Sequence, residues 1–175
     1  MTGSEFSRTM RIDTLHAAPR TMALEANAQE RAALARRFGI VSLDRLEAEV
    51  NVHRSEQEPV AVGRVVAELV QSCAVTDAPV TARIDEPFAV RFRAEAPEPA
   101  GDEEIELGEA ELDVIFYEGA AIDIGEAVAQ TLALAIDPYP RAQGAEEALK
   151  HAGVIGEAEA GPFGALAGLK DKLSK

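Results

Sequence analysis

The segment 119–140, with the sequence GAAIDIGEAVAQTLALAIDPYP, constrains the fold more than any other part of the chain. Asp123 suits a helix N-cap, because its carboxylate can accept hydrogen bonds from the free N–H groups of the first turn. Glu126 follows three residues later, at the position from which a capping-box side chain reaches back to the cap. The helix is therefore predicted to begin at Asp123.

The residues after this cap have the periodicity of a buried helix. One apolar face has the i, i+4, i+7 spacing of a helix: Val128, Leu132 and Ala135. Three further apolar residues widen this face: Ile124, Leu134 and Ile136. Pro138 and Pro140 cannot continue a helix, and a residue before proline, such as Asp137, favours extended geometry. The segment therefore predicts a helix over about 123–136 that covers a sheet.

An earlier helix has equally clear ends. Asn27 is a good N-cap and Glu30 stands at its capping-box position. Helix-forming residues follow, and Gly39 supplies a stop. The sequence predicts a second helix over about 27–38.

The rest of the first 117 residues has the pattern of strands. Apolar alternation predicts strands at 6–15, 21–26, 46–53, 60–73, 80–92 and 113–117, with 42–45 as a turn or a short helical step. Gly63 predicts a bulge or a close approach, and Glu86-Pro87 predicts a bend. Short connections between consecutive strands favour an antiparallel meander. The predicted fold class is α+β: a mostly antiparallel sheet, which could curve into a partial barrel, with two packed helices.

Length and composition predict one domain with tails. A chain of 175 residues, 47% of them hydrophobic, can bury one sizeable core. We expect a single domain over 1–140, with 94–112 as a long acidic loop. An Ala/Glu/Gly-rich flexible connector with a short helix at 145–151 would follow over 141–161. The last residues, 162–175, form an amphipathic basic segment.

Charge and cysteine content narrow the functional class. The net charge is −14, and residues 94–161 hold 2 Lys and Arg against 17 Asp and Glu. Such a surface repels nucleic acid and attracts basic partners, although it could serve solubility alone. Cys73 is the single cysteine, so no intramolecular disulfide can form. No run approaches the roughly 20 apolar residues of a membrane span, and no secretory signal is recognisable. We expect a soluble, cytoplasmic protein without membrane or DNA partners.

Residue patterns do not predict a catalytic, cofactor or metal site. His16, His53 and His151 are far apart and lack metal-ligand spacing. Cys73 has no accompanying Cys/His arrangement and is expected to be a small buried residue. There is no phosphate-binding loop, and the acids of 102–111 lack the spacing of a calcium loop.

Two groups of residues are candidates for binding RNA or a protein partner. Arg83, Arg91 and Arg93 form one basic row on a predicted strand face, which can contact phosphates or simply face solvent. The C-terminal segment combines apolar residues at helical spacing with lysines, and its candidates are Phe163, Leu166, Lys170 and Lys172. That segment could dock on the domain or act as a tethered recognition motif.

These features together resemble the YceD family of large ribosomal RNA subunit accumulation proteins, in the form typical of alphaproteobacteria. The resemblance covers about 6–175 and rests on the strand that ends at Cys73, the turn at Pro79, the acidic loop and two specific segments. The first segment matches the family through Asp123-Ile124, Asp137, Pro138 and Pro140. The second matches through Pro162, Phe163 and Leu166, with Gly161 where the family has asparagine.

The resemblance implies a non-enzymatic factor for the accumulation or processing of large-subunit ribosomal RNA and for ribosome assembly. Its partners would be that RNA, directly or indirectly, or a basic ribosomal or assembly protein. Many relatives have a Cys-x-x-Cys where this chain has Cys73 and Thr76, so a zinc or redox role does not carry over. An RNA-acting enzyme and a small-molecule-binding β-barrel remain the alternatives.

Overall fold

A computed structural model of the chain describes residues 4–56, 58–95 and 113–154. These residues divide into two compact units. The first comprises 4–71 and 81–138 with their gaps, and the second comprises 72–80 and 139–154. Almost all of the secondary structure, and the hydrophobic core, belong to the first unit.

Seven strands and three α-helices follow one another along the described residues. The strands are β1 (Thr9–Arg11), β2 (Arg20–Glu25), β3 (Ser42–Ser55), β4 (Glu58–Ser72), β5 (Pro79–Ala94), β6 (Asp113–Tyr117) and β7 (Ala121–Asp123). The helices are α1 (Ala28–Phe38), α2 (Ile124–Ala135) and α3 (Ala145–His151), and a single 3₁₀ turn covers Ile12–Thr14. The predicted α+β class is confirmed.

The main sheet has five strands in the order β2-β3-β4-β5-β6. The pairs β2–β3 and β3–β4 are antiparallel, as the meander predicts, whereas β6 joins β5 in parallel with Val90 opposite Asp113. The outermost strands, β2 and β6, are not hydrogen-bonded to each other, so the sheet is open rather than a closed barrel. A separate two-stranded sheet pairs β1 with β7.

The start of α1 is as predicted. The Asn27 side chain accepts hydrogen bonds from the backbone N–H groups of Gln29 and Glu30, and the Glu30 side chain accepts from the Asn27 N–H. This is a complete capping box. Gly39, at φ 67°, ends the helix in the left-handed conformation that glycine adopts without strain.

The start of α2 differs from the prediction in one respect. Asp123 caps the helix by accepting from the Glu126 N–H, as expected. The Glu126 side chain does not complete a capping box, because it binds the Arg37 guanidinium of α1 through two hydrogen bonds of 2.8 and 2.6 Å. A bidentate charge-assisted pair outcompetes one bond to a neutral N–H.

The core lies between one face of the main sheet and helices α1 and α2. Alternate residues of β3, β4 and β5 contribute Val50, Val65 and Phe92, and α2 contributes Val128 and Leu132, all at most 1% exposed. The predicted close approach at Gly63 is confirmed. A Cβ there would overlap the Glu49 carbonyl oxygen and lie 3.0 Å from the Phe88 ring. We call the opposite face of the sheet, which carries the polar residues, its outer face.

Two strand boundaries were predicted wrongly. The strand expected over 6–15 is reduced to β1, because its partner β7 has only three residues before the chain enters α2. The turn expected over 42–45 is instead the start of β3. A register shift between Leu43 and Arg45 lets Asp44 and Arg45 both be exposed without ending the strand.

One further prediction, the burial of Leu134, was wrong for a geometric reason. Leu134 does not widen the buried face of α2 but is 83% exposed. It follows Leu132 by two residues, which turns it by about 200° around the helix. The bend expected at Glu86-Pro87 stays a prediction: β5 continues through these residues, and Asp85, Glu86 and Pro87 are all exposed between the buried Ile84 and Phe88. Within the described residues, β6 pairs with β5 only over Val90–Ala94, so Pro87 lies outside that pairing, where a proline is tolerated.

Replacing Gly125 by alanine should destabilise the protein. A Cβ at Gly125 would overlap the Phe6 carbonyl oxygen and lie 2.9 Å from the Arg8 nitrogen. Alanine normally favours a helix over glycine by about 1 kcal/mol, but the overlap should reverse that sign and lower the free energy of unfolding by about 1–3 kcal/mol. Urea denaturation measures the change. Leu134→Ala, on the exposed side of the same helix, should stay within about 0.5 kcal/mol of the wild type. A Gly125→Ala protein as stable as the control would contradict the close docking of the N-terminal segment.

Replacing Glu126 by glutamine should make the free energy of unfolding depend less on pH in acid solution. The hydrogen bonds from Arg37 hold the pKa of Glu126 at about 2, below its ordinary 4.5. Because the native pKa is depressed, the contribution is complete above pH 4.5 and is lost as the pH falls through 2. Glu126→Gln should therefore cost about 1–3 kcal/mol of unfolding free energy near neutral pH, and progressively less below pH 4.5. Denaturant melts across this pH range test the expectation.

The matched control for this experiment is Glu68→Gln. Glu68 lies 3.7 Å from Arg45 with 46% of its side chain exposed, and such a surface pair contributes little. An equal loss in both variants, or a loss for Glu126→Gln that does not depend on pH, would overturn the assignment.

Candidate nucleic-acid interface

The three arginines of β5 lie on the outer face of the main sheet. They alternate with Ile84, Phe88, Val90 and Phe92, which are buried on the core side. Arg83 and Arg93 are exposed and Arg91 is half-buried. We call Arg83, Arg91 and Arg93 the arginine row.

The arginines of the row have carboxylates close by, and Arg83 lines a shallow concavity together with Asp44 and Glu68. Arg91 and Arg93 approach the same carboxylate, with Nε atoms 3.4 and 3.0 Å from the two oxygens of Glu58 on β4. One carboxylate therefore serves two guanidinium groups. Within the described residues, Arg83 has no ion pair, since nearby Asp85 is bonded to Arg64. That bond is the main cause of the lowered pKa of Asp85, and the charge of Arg83 adds to it.

An exposed aromatic ring lies beside the arginine row. In the parallel pairing of β6 with β5, Arg91 is opposite Val114 and Arg93 is opposite Phe116. Paired residues of neighbouring strands project from the same face of a sheet. Phe116 is therefore next to Arg93 on the outer face, with 61% of the residue exposed.

Sequence reasoning missed Phe116 as a candidate. The alternation in 113–117 predicted a strand but not its neighbour, and the parallel pairing with β5 is what brings the ring to Arg93. The sequence feature that could have identified Phe116 is an aromatic side chain at a strand position that, by alternation, faces away from the core.

The other end of the outer face is acidic. A concavity of about 450 Å³ lies over β2, β3 and β4. Its lining residues are Ala23, Leu24, Glu25, Glu47, Ala48, Glu49, Arg64 and Val66. Three carboxylates in such a lining do not suit an apolar small molecule. The same lining also contains Arg64, and one of the carboxylates, Glu47, is paired with Arg45 at 2.6 Å.

Cys73 anchors a turn of the second unit. Its N–H donates to the Ala78 carbonyl at 2.8 Å, and its own carbonyl accepts from Asp77 at 3.1 Å. Its thiol, on a residue 1% exposed, accepts from the backbone N–H of Ala142 at 3.2 Å and of Val75 at 3.5 Å. The predicted burial is confirmed.

Thr76 contributes a hydroxyl to this turn close to the Cys73 thiol. The Ala142 N–H, the Thr76 hydroxyl and the Val75 N–H together lower the pKa of Cys73 from 9.0 to about 7. Donors that stabilise a thiolate explain the direction of this shift. In the described part of the chain, no three His, Cys, Asp or Glu side chains are grouped so that they could hold a metal ion.

The remaining motif residues have structural positions. Pro79 begins β5 and Asp123 caps α2. The Asp137 carbonyl accepts from the Gln71 amide at 2.7 Å, directly before Pro138. Pro140 is buried, and its carbonyl accepts from the Ala74 N–H at 2.8 Å. Five predicted residues lie outside the described residues: Pro162, Phe163, Leu166, Lys170 and Lys172.

The His16 carbonyl accepts from the Arg54 N–H at 2.8 Å, so His16 lies near the strand that carries His53. His16 and His151 are exposed, and His53 is half-buried on β3 with its Nδ1 unpartnered. No helix among the described residues is both long enough and apolar enough to cross a membrane.

Comparison with known proteins identifies the family. The model of a family described as large ribosomal RNA subunit accumulation protein YceD matches residues 61–170, which include the arginine row, Phe116, α2 and α3. The chain belongs to the YceD family. The family description supports a role in the accumulation of ribosomal RNA. No curated protein and no solved structure matches the chain significantly.

The thiol of Cys73 should titrate near neutral pH. Because it is the only cysteine, the ultraviolet absorbance of the thiolate, corrected with Cys73→Ser, reports this residue alone. We expect a midpoint near pH 7, and a higher midpoint in Thr76→Val, which lacks the hydroxyl donor. A depressed native pKa also means that the contribution of Cys73 to stability is complete above pH 9 and declines as the pH falls through 7.

Ser72→Ala is the control for this titration. The Ser72 hydroxyl bonds to Asp77 and not to the thiol, so its removal should leave the midpoint unchanged. A wild-type midpoint near pH 9, the ordinary value, would show that the donors around Cys73 are not engaged.

Proposed function

We propose that this protein supports the accumulation of large-subunit ribosomal RNA as a non-catalytic factor that binds RNA directly through the arginine row. The family match carries the role in ribosomal RNA accumulation. The exposure of the arginine row, in which Arg91 and Arg93 share a single carboxylate, is the observation that favours direct contact. We place this activity in the cytoplasm, where it would serve processing of the RNA or assembly of the subunit.

Phosphate contact through these arginines is consistent with their environment. Arg83 has no ion pair within the described residues, so it can meet a phosphate without breaking one. Arg91 and Arg93 share Glu58 at distances of 3.4 and 3.0 Å, so one of the two can exchange that carboxylate for a phosphate at little cost. Exposed ion pairs of this kind are worth about 0–1 kcal/mol.

The C-terminal segment would provide a second contact. In this proposal residues 1–140 form the folded domain, with the acidic loop 94–112, and residues 141–161, which include α3, connect it to the C-terminal segment. Residues 162–175 then present Lys170 and Lys172 beside the apolar Phe163 and Leu166. A tethered basic segment raises the effective concentration of a second phosphate contact.

A basic protein is the alternative partner. Residues 94–161 contain 17 acids against 2 basic residues, which favours an adaptor that holds a ribosomal or assembly protein. Some of these acids are already engaged within the fold: Glu126 pairs with Arg37, and Asp123 accepts from the Arg8 N–H at 2.8 Å. An acidic protein contact would therefore rely on the other acids, most of them in the 94–112 loop.

Removing the arginine row should weaken RNA binding and its dependence on salt. We expect the variant Arg83→Ala/Arg91→Ala/Arg93→Ala to bind fragments of large-subunit ribosomal RNA about 10-fold to 100-fold more weakly at low salt. Each lost phosphate contact should reduce the slope of log K against log salt by about 0.7 for single strands. Fluorescence anisotropy over a series of KCl concentrations measures both quantities.

The control variant is Arg11→Ala/Arg20→Ala/Arg36→Ala, which removes the same net charge at three exposed arginines off the row. Equal losses in the two triple variants would overturn the arginine row as the RNA site. Capture from a lysate is a second test. A defined basic protein that is retained after RNase treatment, with no binding of purified RNA, would replace this proposal by the adaptor alternative.

A further inference from the structure

The ring of Phe116 is an unusual feature of the outer face. The phenylalanines of the first unit that pack into the core, Phe6, Phe88 and Phe92, are 0%, 8% and 1% exposed, whereas Phe116 is 61% exposed. A single exposed apolar residue is ordinary on a protein surface. Phe116, however, lies directly opposite Arg93 in the pairing of β6 with β5. Its exposed ring is therefore next to a guanidinium group.

We propose that Phe116 is a stacking platform for an unpaired base of single-stranded RNA, while Arg91 and Arg93 hold the adjoining phosphates. This inference rests on the proposed function and specifies its substrate as single-stranded. A base has an apolar face and lies next to a charged backbone, so its receptor needs an exposed ring beside a cation. The Phe116–Arg93 pair supplies both.

The strand geometry suits a flexible single strand. Arg91 and Arg93 are two residues apart on one face, which separates their Cα atoms by about 6.6 Å, comparable to the distance between successive phosphates of an extended chain. Phe116 and Val114 lie beside them on β6, the last strand of the sheet. A row of phosphates over β5 would therefore place bases over β6.

A double helix fits this arrangement poorly. Its bases are already stacked on each other, so an exposed phenylalanine gains contact only with a base that is unpaired. The carboxylates over β2 and β3, Glu25, Glu47 and Glu49, also restrict the basic part of the outer face to a narrow strip. Loops or unpaired ends of the RNA are the expected ligands.

The experiment compares three side chains at position 116 on two probes. The probes are a short single-stranded RNA oligonucleotide and the duplex of the same sequence, titrated by anisotropy. Phe116→Leu keeps an apolar side chain but removes the aromatic face, and Phe116→Tyr keeps the aromatic face. We expect Phe116→Leu to weaken single-strand binding by roughly 5-fold to 100-fold, and Phe116→Tyr to stay within about 2-fold of the wild type, given that stacking accepts any ring. The salt slope should be unchanged in both, because no phosphate contact is lost.

The outcomes separate this inference from the proposed function. If Phe116→Leu binds the single strand as tightly as the wild type does while the arginine-row variant is impaired, the stacking platform is refuted and direct RNA binding stands. If neither variant is impaired, or if the wild type binds neither probe, both proposals fail. Equal weakening of duplex and single strand by Phe116→Leu would also refute stacking. A fluorescent base analogue in the single strand, quenched by the wild type and by Phe116→Tyr but not by Phe116→Leu, would directly support it.

Discussion

The first turn of α2 is the point at which the first unit is tied together. Asp123 caps this turn and also accepts from the Arg8 N–H and the Ser7 hydroxyl, at 2.8 and 2.6 Å. The Ile124 N–H donates to the Arg8 carbonyl at 3.0 Å. The absence of a side chain at Gly125 lets the Phe6 carbonyl approach the helix. The N-terminal segment and the helix start thus satisfy each other's backbone groups, and Phe6 becomes fully buried.

This docking determines how several charges of the chain are used. Arg37 of α1 binds Glu126, and Arg8 binds Glu30 at 2.7 Å, the same carboxylate that closes the capping box of α1. Both helix starts are therefore held by arginines from elsewhere in the unit. Acids that attract attention in the sequence, Asp123 and Glu126, act as structural anchors. The charges left for a partner lie on the sheet and in the parts of the chain beyond it.

The sequence predicted those elements whose signals are local. Caps, glycine stops and prolines fixed α1 and α2 to within one residue, since these signals act through bonds between near neighbours. The alternation of apolar and polar residues predicted strands β3 to β6 and placed the arginine row on the face opposite the core. Features that depend on long-range pairing could not be obtained in this way. The parallel junction of β5 with β6, the short β1–β7 sheet and the preference of Glu126 for Arg37 each require knowing which distant segment is adjacent.

The same limitation explains why only half of the candidate interface was visible beforehand. The arginines are two or more residues apart on one strand, so periodicity alone assigns them to one face. Phe116 belongs to another strand, separated from Arg93 by an acidic stretch of sequence. Its position beside Arg93 depends on the pairing register of β6 with β5, which the alternation of residues does not specify.

An acidic protein can hold RNA if the relevant charges are local. At physiological ionic strength the Debye length is about 8 Å, so charges farther away are largely screened. The net charge of −14 therefore sets a weak background repulsion and does not decide binding at the arginine row. In the proposed interface, the carboxylates on β2 and β3, rather than the net charge, would favour ligands narrow enough to follow the row without covering them. A broad duplex would meet both regions at once, whereas a single strand along β5 and β6 meets mainly Arg91, Arg93 and Phe116. A net acidic composition is thus compatible with the proposed contact of RNA at the arginine row.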